Sequence, residues 1–152
     1  MVEVLMVVFV SIVLMGFALP RVIPVTRYYH LMSALPGVTG AIQGTRYQAI
    51  MTGCPYQIAF NASTTSYQVS TEVLSGSPAS CAASFTNVGN AVPWSSSGDV
   101  SISSSITLQF SPNGTVTVVT TPSTMPATFS LTNATSTETV TVSGVGDVTV
   151  SP

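Results

Sequence analysis

The chain has 152 residues and a mass of 15.7 kDa, enough for one modest hydrophobic core plus an appendage, which excludes multidomain machinery. Charged residues make up 5% of it, against roughly 25% in an ordinary soluble domain, while 45% are hydrophobic and the mean hydropathy is +0.53. Neither an ordinary cytosolic protein nor a disordered chain fits, because disorder combines low hydrophobicity with high charge.

Lysine is absent, and Arg21, Arg27 and Arg46 all lie in the first third. Three dispersed cations do not make a patch that neutralises several phosphates at once, so nucleic acid is not an expected partner. Glu3, Glu72, Asp99, Glu138 and Asp147 are scattered singly, giving a net charge of -2 and no charge run. Ser and Thr, most of them after residue 60, supply the polar surface instead, which suits a packed or glycosylated cell exterior.

From Val4 to Pro20 runs an uncharged stretch with polar interruptions only at Ser11 and Gly16, at the lower limit for a membrane-spanning helix, and Arg21 ends it. An acid, Glu3, stands where a signal peptide carries its positive charge, and Pro20-Arg21 follows in place of a small-residue cleavage site; the segment is expected to be retained. A plain membrane anchor leaves Glu3 unexplained, since an ionisable group at hydrocarbon costs roughly 3 kcal/mol unless paired. A positive group on another copy of the same helix is the simplest partner, which makes Glu3 an assembly residue.

Gly16, Pro20 and Pro24 predict a kinked or partly unwound segment, because proline removes a helical hydrogen bond and clashes with the preceding turn. Leu31, Leu35, Val38, Ile42 and Ala49 then recur at helical spacing with Arg27, Gln43 and Arg46 off the stripe, the pattern of an amphipathic half-helix, with a second bend expected at Pro36-Gly37. After Gly53 the period changes to two. Tyr56 to Phe60 and Ser66 to Val73 read as a hairpin, and residues 74–98, rich in Ser, Gly, Ala and Pro, as a long loop needing a tether. Val100 and Ile102, then Ile106, Leu108 and Phe110, predict strands, with Ser111-Pro112-Asn113-Gly114 turning into Val116 and Val118. Further strands are expected at Phe129 to Leu131, Val140 to Val142 and Val148 to Val150, so this half reads as an antiparallel β domain.

No catalytic constellation is found. His30 stands alone beside Tyr28 and Tyr29, the acids are too dispersed for a metal, and neither enzymatic activity nor a cofactor or metal is expected. Tyr28, Tyr29 and Tyr47 read as helix-packing residues rather than an electron path. Cys54 and Cys81 read as a disulfide tethering the loop, with two buried free thiols as the other possibility. Asn61, Asn113 and Asn133 each begin an Asn-x-Ser/Thr sequence. About one or two such matches arise by chance in so hydroxyl-rich a chain, and O-glycosylation is an equal candidate.

The opening resembles the N-terminal helix of type IV pilins and pseudopilins. Glu3 and Pro20 have the family's spacing between its invariant glutamate and a proline within Ala18-Leu19-Pro20, and Met1-Val2-Glu3-Val4-Leu5 matches its hydrophobic-Glu-hydrophobic start. The resemblance implies that the family's first two mature residues precede Met1, which puts N-terminal processing out of view. The remainder resembles the pseudopilin H family with its FimT-like minor pilins. Gln43 to Gly53 looks like that family's helix end, and Leu108-Gln109-Phe110-Ser111-Pro112-Asn113-Gly114-Thr115 like its Phe-x-Pro-x-Gly hairpin. Gly146-Asp147 replaces the Gly-Arg pair often found on the family's last strand, so DNA binding is not carried over.

The expected fold is therefore α+β: a long kinked N-terminal helix, residues 1–52, carrying a small antiparallel β domain, residues 53–152. Residues 1–24 are expected to serve as membrane span and filament core and residues 25–52 as the amphipathic half. The resemblance implies a structural subunit of an extracellular type IV pilus-like filament, with identical subunits, the inner membrane before assembly, and pilus or secretion assembly machinery as partners. Its alternative is a minor pilin or pseudopilin of a type II secretion or DNA-uptake system; a monomeric membrane-anchored β domain is a third possibility. Glu3, Gly16, Pro20 and Pro24 are the expected assembly residues, and the expected location is the cell surface, supplied from a membrane-anchored pool.

Overall fold

The computed structural model describes the backbone of residues 2–75, 80–95, 97–121 and 123–152, and their side chains except those of 17–22, 74, 75, 82 and 83. Helix α1 runs from Val2 to Thr52. Leu31, Ala34, Leu35, Val38, Ile42, Thr45 and Ala49 recur every three or four residues and are all buried, so one stripe of its second half faces the core. Thr45, the polar member, donates its hydroxyl to the Ala41 carbonyl at 2.7 Å, which satisfies it without leaving the helix. The helix stops where Gly53 takes a φ of +69° and donates its N–H to the Ala49 carbonyl at 3.1 Å, a left-handed cap.

Ten strands follow: β1 (Tyr56–Asn61), β2 (Ser66–Ser75), β3 (Ser80–Asn87), β4 (Val92–Pro93), β5 (Ser101–Ile102), β6 (Ile106–Phe110), β7 (Val116–Val118), β8 (Ala127–Thr132), β9 (Thr137–Val142) and β10 (Val148–Ser151). They form two antiparallel sheets, one ordered β3-β2-β1-β6-β7 with β4 also on β2, the other β10-β9-β8-β5. Alternation sets what each sheet buries: Ile58 and Phe60, Leu108 and Phe110, Val116 and Val118 from the first, Phe129 and Leu131, Val140 and Val142 from the second. These side chains and the helix stripe make one continuous core, with Phe60 in ring contact with Tyr67, Trp94 and Phe129 at its centre. The sheets also meet outside the core, where the Val116 N–H donates to the Gly144 carbonyl at 2.9 Å.

Three expectations are corrected. The kinked helix with one small β domain gives way to a mixed fold in which two sheets of ten strands predominate. The helix is assigned without a break through Gly16 to Pro24 and again through Pro36-Gly37. At Pro36 the reason is tertiary: Leu31, Ala34, Leu35 and Val38 clamp the turns on both sides of it into the core, while Pro36 itself faces outward. The Thr39 hydroxyl also donates to the Leu35 carbonyl at 2.9 Å. Thirdly, much of 74–98 is not loop: β2 continues to Ser75, β3 pairs with it across a register shift between Glu72 and Leu74, and β4 adds a short contact at Ser66 and Tyr67. Residues 76–79 and 96 of that stretch lie outside the described residues.

Cys54 and Cys81 are joined in a disulfide that ties the end of the helix to β3. With the cysteines 27 positions apart, the chain-entropy model assigns the bridge about 3.5 kcal/mol. Replacing both cysteines by serine is expected to lower the urea midpoint by a corresponding amount. Intact mass before and after reduction checks that the bridge is formed, and an unchanged midpoint would refute its structural weight.

Candidate functional site: an uncovered apolar helix

The first half of α1 projects beyond the β domain. Twelve large hydrophobic residues from Val2 to Met15 are exposed, from 40% at Val13 to 76% at Val2. Because they occupy nearly consecutive positions, the helix is apolar on every side. Ser11, the one uncharged polar side chain within the stretch, turns its hydroxyl back to the Val7 carbonyl at 2.8 Å and offers little to water. Glu3 is exposed near the tip, with no hydrogen-bond or ion-pair partner among the described residues. Among the described residues no helix is long and apolar enough to cross a membrane. The expected span includes residues 17–22, whose side chains lie outside those described, Pro20 among them.

Glu3, Gly16 and Pro24 are strung along the helix, with Glu3 and Pro24 about 32 Å apart at 1.5 Å per residue, so the chain does not bring the expected assembly residues together. Both Gly16 and Pro24 are exposed, and a Cβ added at Gly16 would meet nothing within 4 Å. Glycine is not required there by packing within one copy. Tyr28 and Tyr29 lie edge to face with centroids 6.2 Å apart and are exposed, as is Tyr47, so within one copy they do not pack into the core. Asn61, Asn113 and Asn133 sit at three separate turns, at the end of β1, between β6 and β7, and between β8 and β9.

Where the helix enters the β domain, a set of polar contacts seats it. The His30 Nδ1 and Asp99 Oδ2 are 2.8 Å apart, and the Asn133 amide donates to the Arg27 carbonyl at 2.6 Å. Some four turns further along, Arg46 Nε donates to the Gly114 carbonyl at 3.2 Å and Gln43 donates to the Gly146 carbonyl at 3.3 Å. Arg46 thus lies across the β6–β7 and β9–β10 turns, one from each sheet. Gly114 and Gly146 have φ of +83° and +79°, and a Cβ on Gly146 would stand 2.6 Å from Arg46 Nε. These contacts went unnoticed in the sequence. The turn-like Ser143-Gly144-Val145-Gly146 marks the second turn, but nothing in the sequence links His30 to Asp99, 69 positions apart.

Hydrogen bonds from Ser97 and then from His30 hold the Asp99 carboxyl below the usual carboxylate range. A carboxyl depressed by folding stabilises the fold fully above its unfolded value, near about pH 4, and that contribution fades as pH falls through the lower folded value. The pair is partly exposed, which keeps the effect small. Asp99→Asn is therefore expected to flatten the acid limb of the stability profile while leaving neutral pH little changed. Urea midpoints measured down the acid range check this; an unaltered acid limb would rule the contact out as a seat for the helix.

A cleft of about 230 Å³ between the β5–β6 and β7–β8 connections is ringed by the hydroxyls of Ser104, Ser105, Thr120, Thr121, Thr124 and Thr128. It holds no carboxylate, imidazole or thiol. Among the described residues no group of three His, Cys, Asp or Glu side chains gathers to hold a metal. No protein-family model matches the chain, and no curated protein or solved structure shows a significant likeness to it.

Proposed function

We propose that the chain is the structural subunit of a type IV pilus-like filament at the cell surface, polymerising through the first half of α1. The observation that carries this reading is the helix itself, bare and apolar on every side from Val2 to Met15 while its second half is locked into the β core. Full burial of one such side chain is worth about 1.5–3 kcal/mol. Partial cover of twelve of them by neighbouring helices is ample against an association cost of roughly 4–15 kcal/mol. Identical copies are the natural cover, because each brings the same surface and the same need. Before assembly the cytoplasmic membrane and the assembly machinery hold that surface. The Glu3-Pro20 spacing and the resemblance to pilins point the same way.

Glu3 is then the one charge in an apolar contact and pairs between copies, which fixes how they align. Electron microscopy of filaments sheared from cells producing the chain tests the reading: regular filaments are expected from the wild type. Glu3→Ala is expected to lower their yield at least tenfold with the disulfide and Trp94 fluorescence of the β domain unchanged. Wild-type chain that reaches the surface only as monomer would sink the filament reading, and full yield from Glu3→Ala would sink the role of that residue alone.

A further inference from the structure

The structure assigns Asn61 and Asn113 as acceptors for an N-linked glycan and Asn133 as a structural side chain that is not one. All three asparagines adopt the same local geometry. Asn61 Oδ1 accepts from the N–H and hydroxyl of Ser63 at 3.0 and 2.8 Å, Asn113 Oδ1 from those of Thr115 at 3.1 and 2.7 Å, and Asn133 Oδ1 from those of Thr135, both at 2.9 Å. Two donors on the oxygen fix the amide plane and turn its nitrogen away from the turn. What that nitrogen meets separates the three.

Asn133 Nδ2 donates to the Arg27 carbonyl at 2.6 Å, so its amide is committed to seating the helix, and the residue is only half-exposed. Asn61 and Asn113 are exposed, and their Nδ2 atoms have no partner among the described residues. Both turns are also held still. The Ala62 N–H donates to Ser105 Oγ at 3.0 Å, and Gly114 lies beneath Arg46. Each therefore presents a fixed, exposed amide with an uncommitted nitrogen, on a surface turn that carries the Asn-x-Ser/Thr acceptor pattern.

The surface gives a separate reason. From Gly53 onward the chain has Glu72, Asp99, Glu138 and Asp147 and no cation, so few charges keep the β domain soluble. Hydrated sugars at the two ends of the first sheet supply what charge does not. The donor class is an oligosaccharide on a lipid pyrophosphate. In the transfer, Asn Nδ2 forms a bond to the anomeric carbon, the carbon–oxygen bond to the pyrophosphate breaks, the lipid pyrophosphate leaves, and one amide proton passes to a base of the transferase.

The full chain, exported from cells carrying an oligosaccharyl transferase of relaxed specificity and one defined lipid-pyrophosphate oligosaccharide, provides the test. Intact mass is expected to rise by two glycans. Asn61→Gln and Asn113→Gln should each remove one, and Thr115→Ala, which keeps the asparagine, should lower occupancy at Asn113 at least tenfold. Peptide mapping of the wild type should find Asn133 bare, a readout that does not depend on any variant folding. Unmodified Asn61 and Asn113 beside a glycosylated control protein, sugar on hydroxyls alone, or equal occupancy of Asn133 would each overturn the assignment. None of these outcomes depends on whether the chain forms filaments.

Discussion

Phe60→Ala is expected to destabilise the fold by about 3–5 kcal/mol, the usual cost of emptying a buried aromatic site. Phe60 is 1% exposed and lies where the two sheets and the loop before β5 converge. Its ring centroid is 5.4 Å from that of Phe129 in the second sheet and 6.3 Å from that of Trp94. Trp94 is itself pinned by its indole N–H to the Val100 carbonyl at 3.0 Å. The three rings cannot close over the missing one without breaking either that hydrogen bond or the β1 pairing with β2 and β6, so the site collapses little. Trp94, the chain's one tryptophan, reports the change through its emission during urea unfolding of the chain in detergent. Val88→Ala, at an exposed position, serves as the control and should shift the midpoint hardly at all. A loss at Phe60 no larger than at Val88 would mean the core is not organised around this cluster.

Gly146→Val is expected to cost about 2–4 kcal/mol, by two routes that a cycle of variants separates. A non-glycine residue at φ +79° costs roughly 1–2 kcal/mol by itself. The new Cβ would also stand 2.6 Å from Nε and 2.7 Å from Cδ of Arg46, so the arginine must leave and gives up its bond to Gly114. In an Arg46→Ala background only the backbone cost should remain, and the coupling between the two positions measures the clasp. Gly144→Ala, where a Cβ meets nothing within 4 Å, is the neutral comparison two residues away. Equal costs for Gly146→Val with and without Arg46 would show that the arginine rests on the turn without holding it.

What the sequence disclosed were features carried by local pattern. The stripe from Leu31 to Ala49 shows its helical period in the sequence and is buried in the structure. The Ser111-Pro112-Asn113-Gly114 turn also stands where its residue types place it, with Gly114 at positive φ and its N–H donating to the Ser111 carbonyl. The bare helix at the front was legible for the same reason, since an uncharged run needs no partner to be seen. What failed was non-local. Proline's cost to a helix is a local quantity, and it predicted a bend at Pro36 because the packing of Leu35 and Val38 that opposes one is not written beside it. Residues 74–98 lack a clean alternation, and β3 forms because β2 already stands in a sheet and offers it an edge. His30 with Asp99, and Arg46 with Gly146, are meetings between elements, and neither member of either pair carries a mark of the other.

The seating of the helix has a mechanical consequence. A pull along α1 reaches the β domain through hydrogen bonds spread from the Arg27 carbonyl to the Arg46 side chain, which join the helix to a loop at Asp99 and turns at Asn133, Gly114 and Gly146, and through the covalent bridge just past the helix end. The hydrogen-bonded contacts stand abreast along the line of tension, so a load divides among them and they yield in shear, together, while the covalent bridge holds. An edge strand peeled from a sheet gives way one bond after another. A thread made of such subunits would carry its strain in the bare helices and deliver it to each head as a shared shear, with both sheets bearing the force.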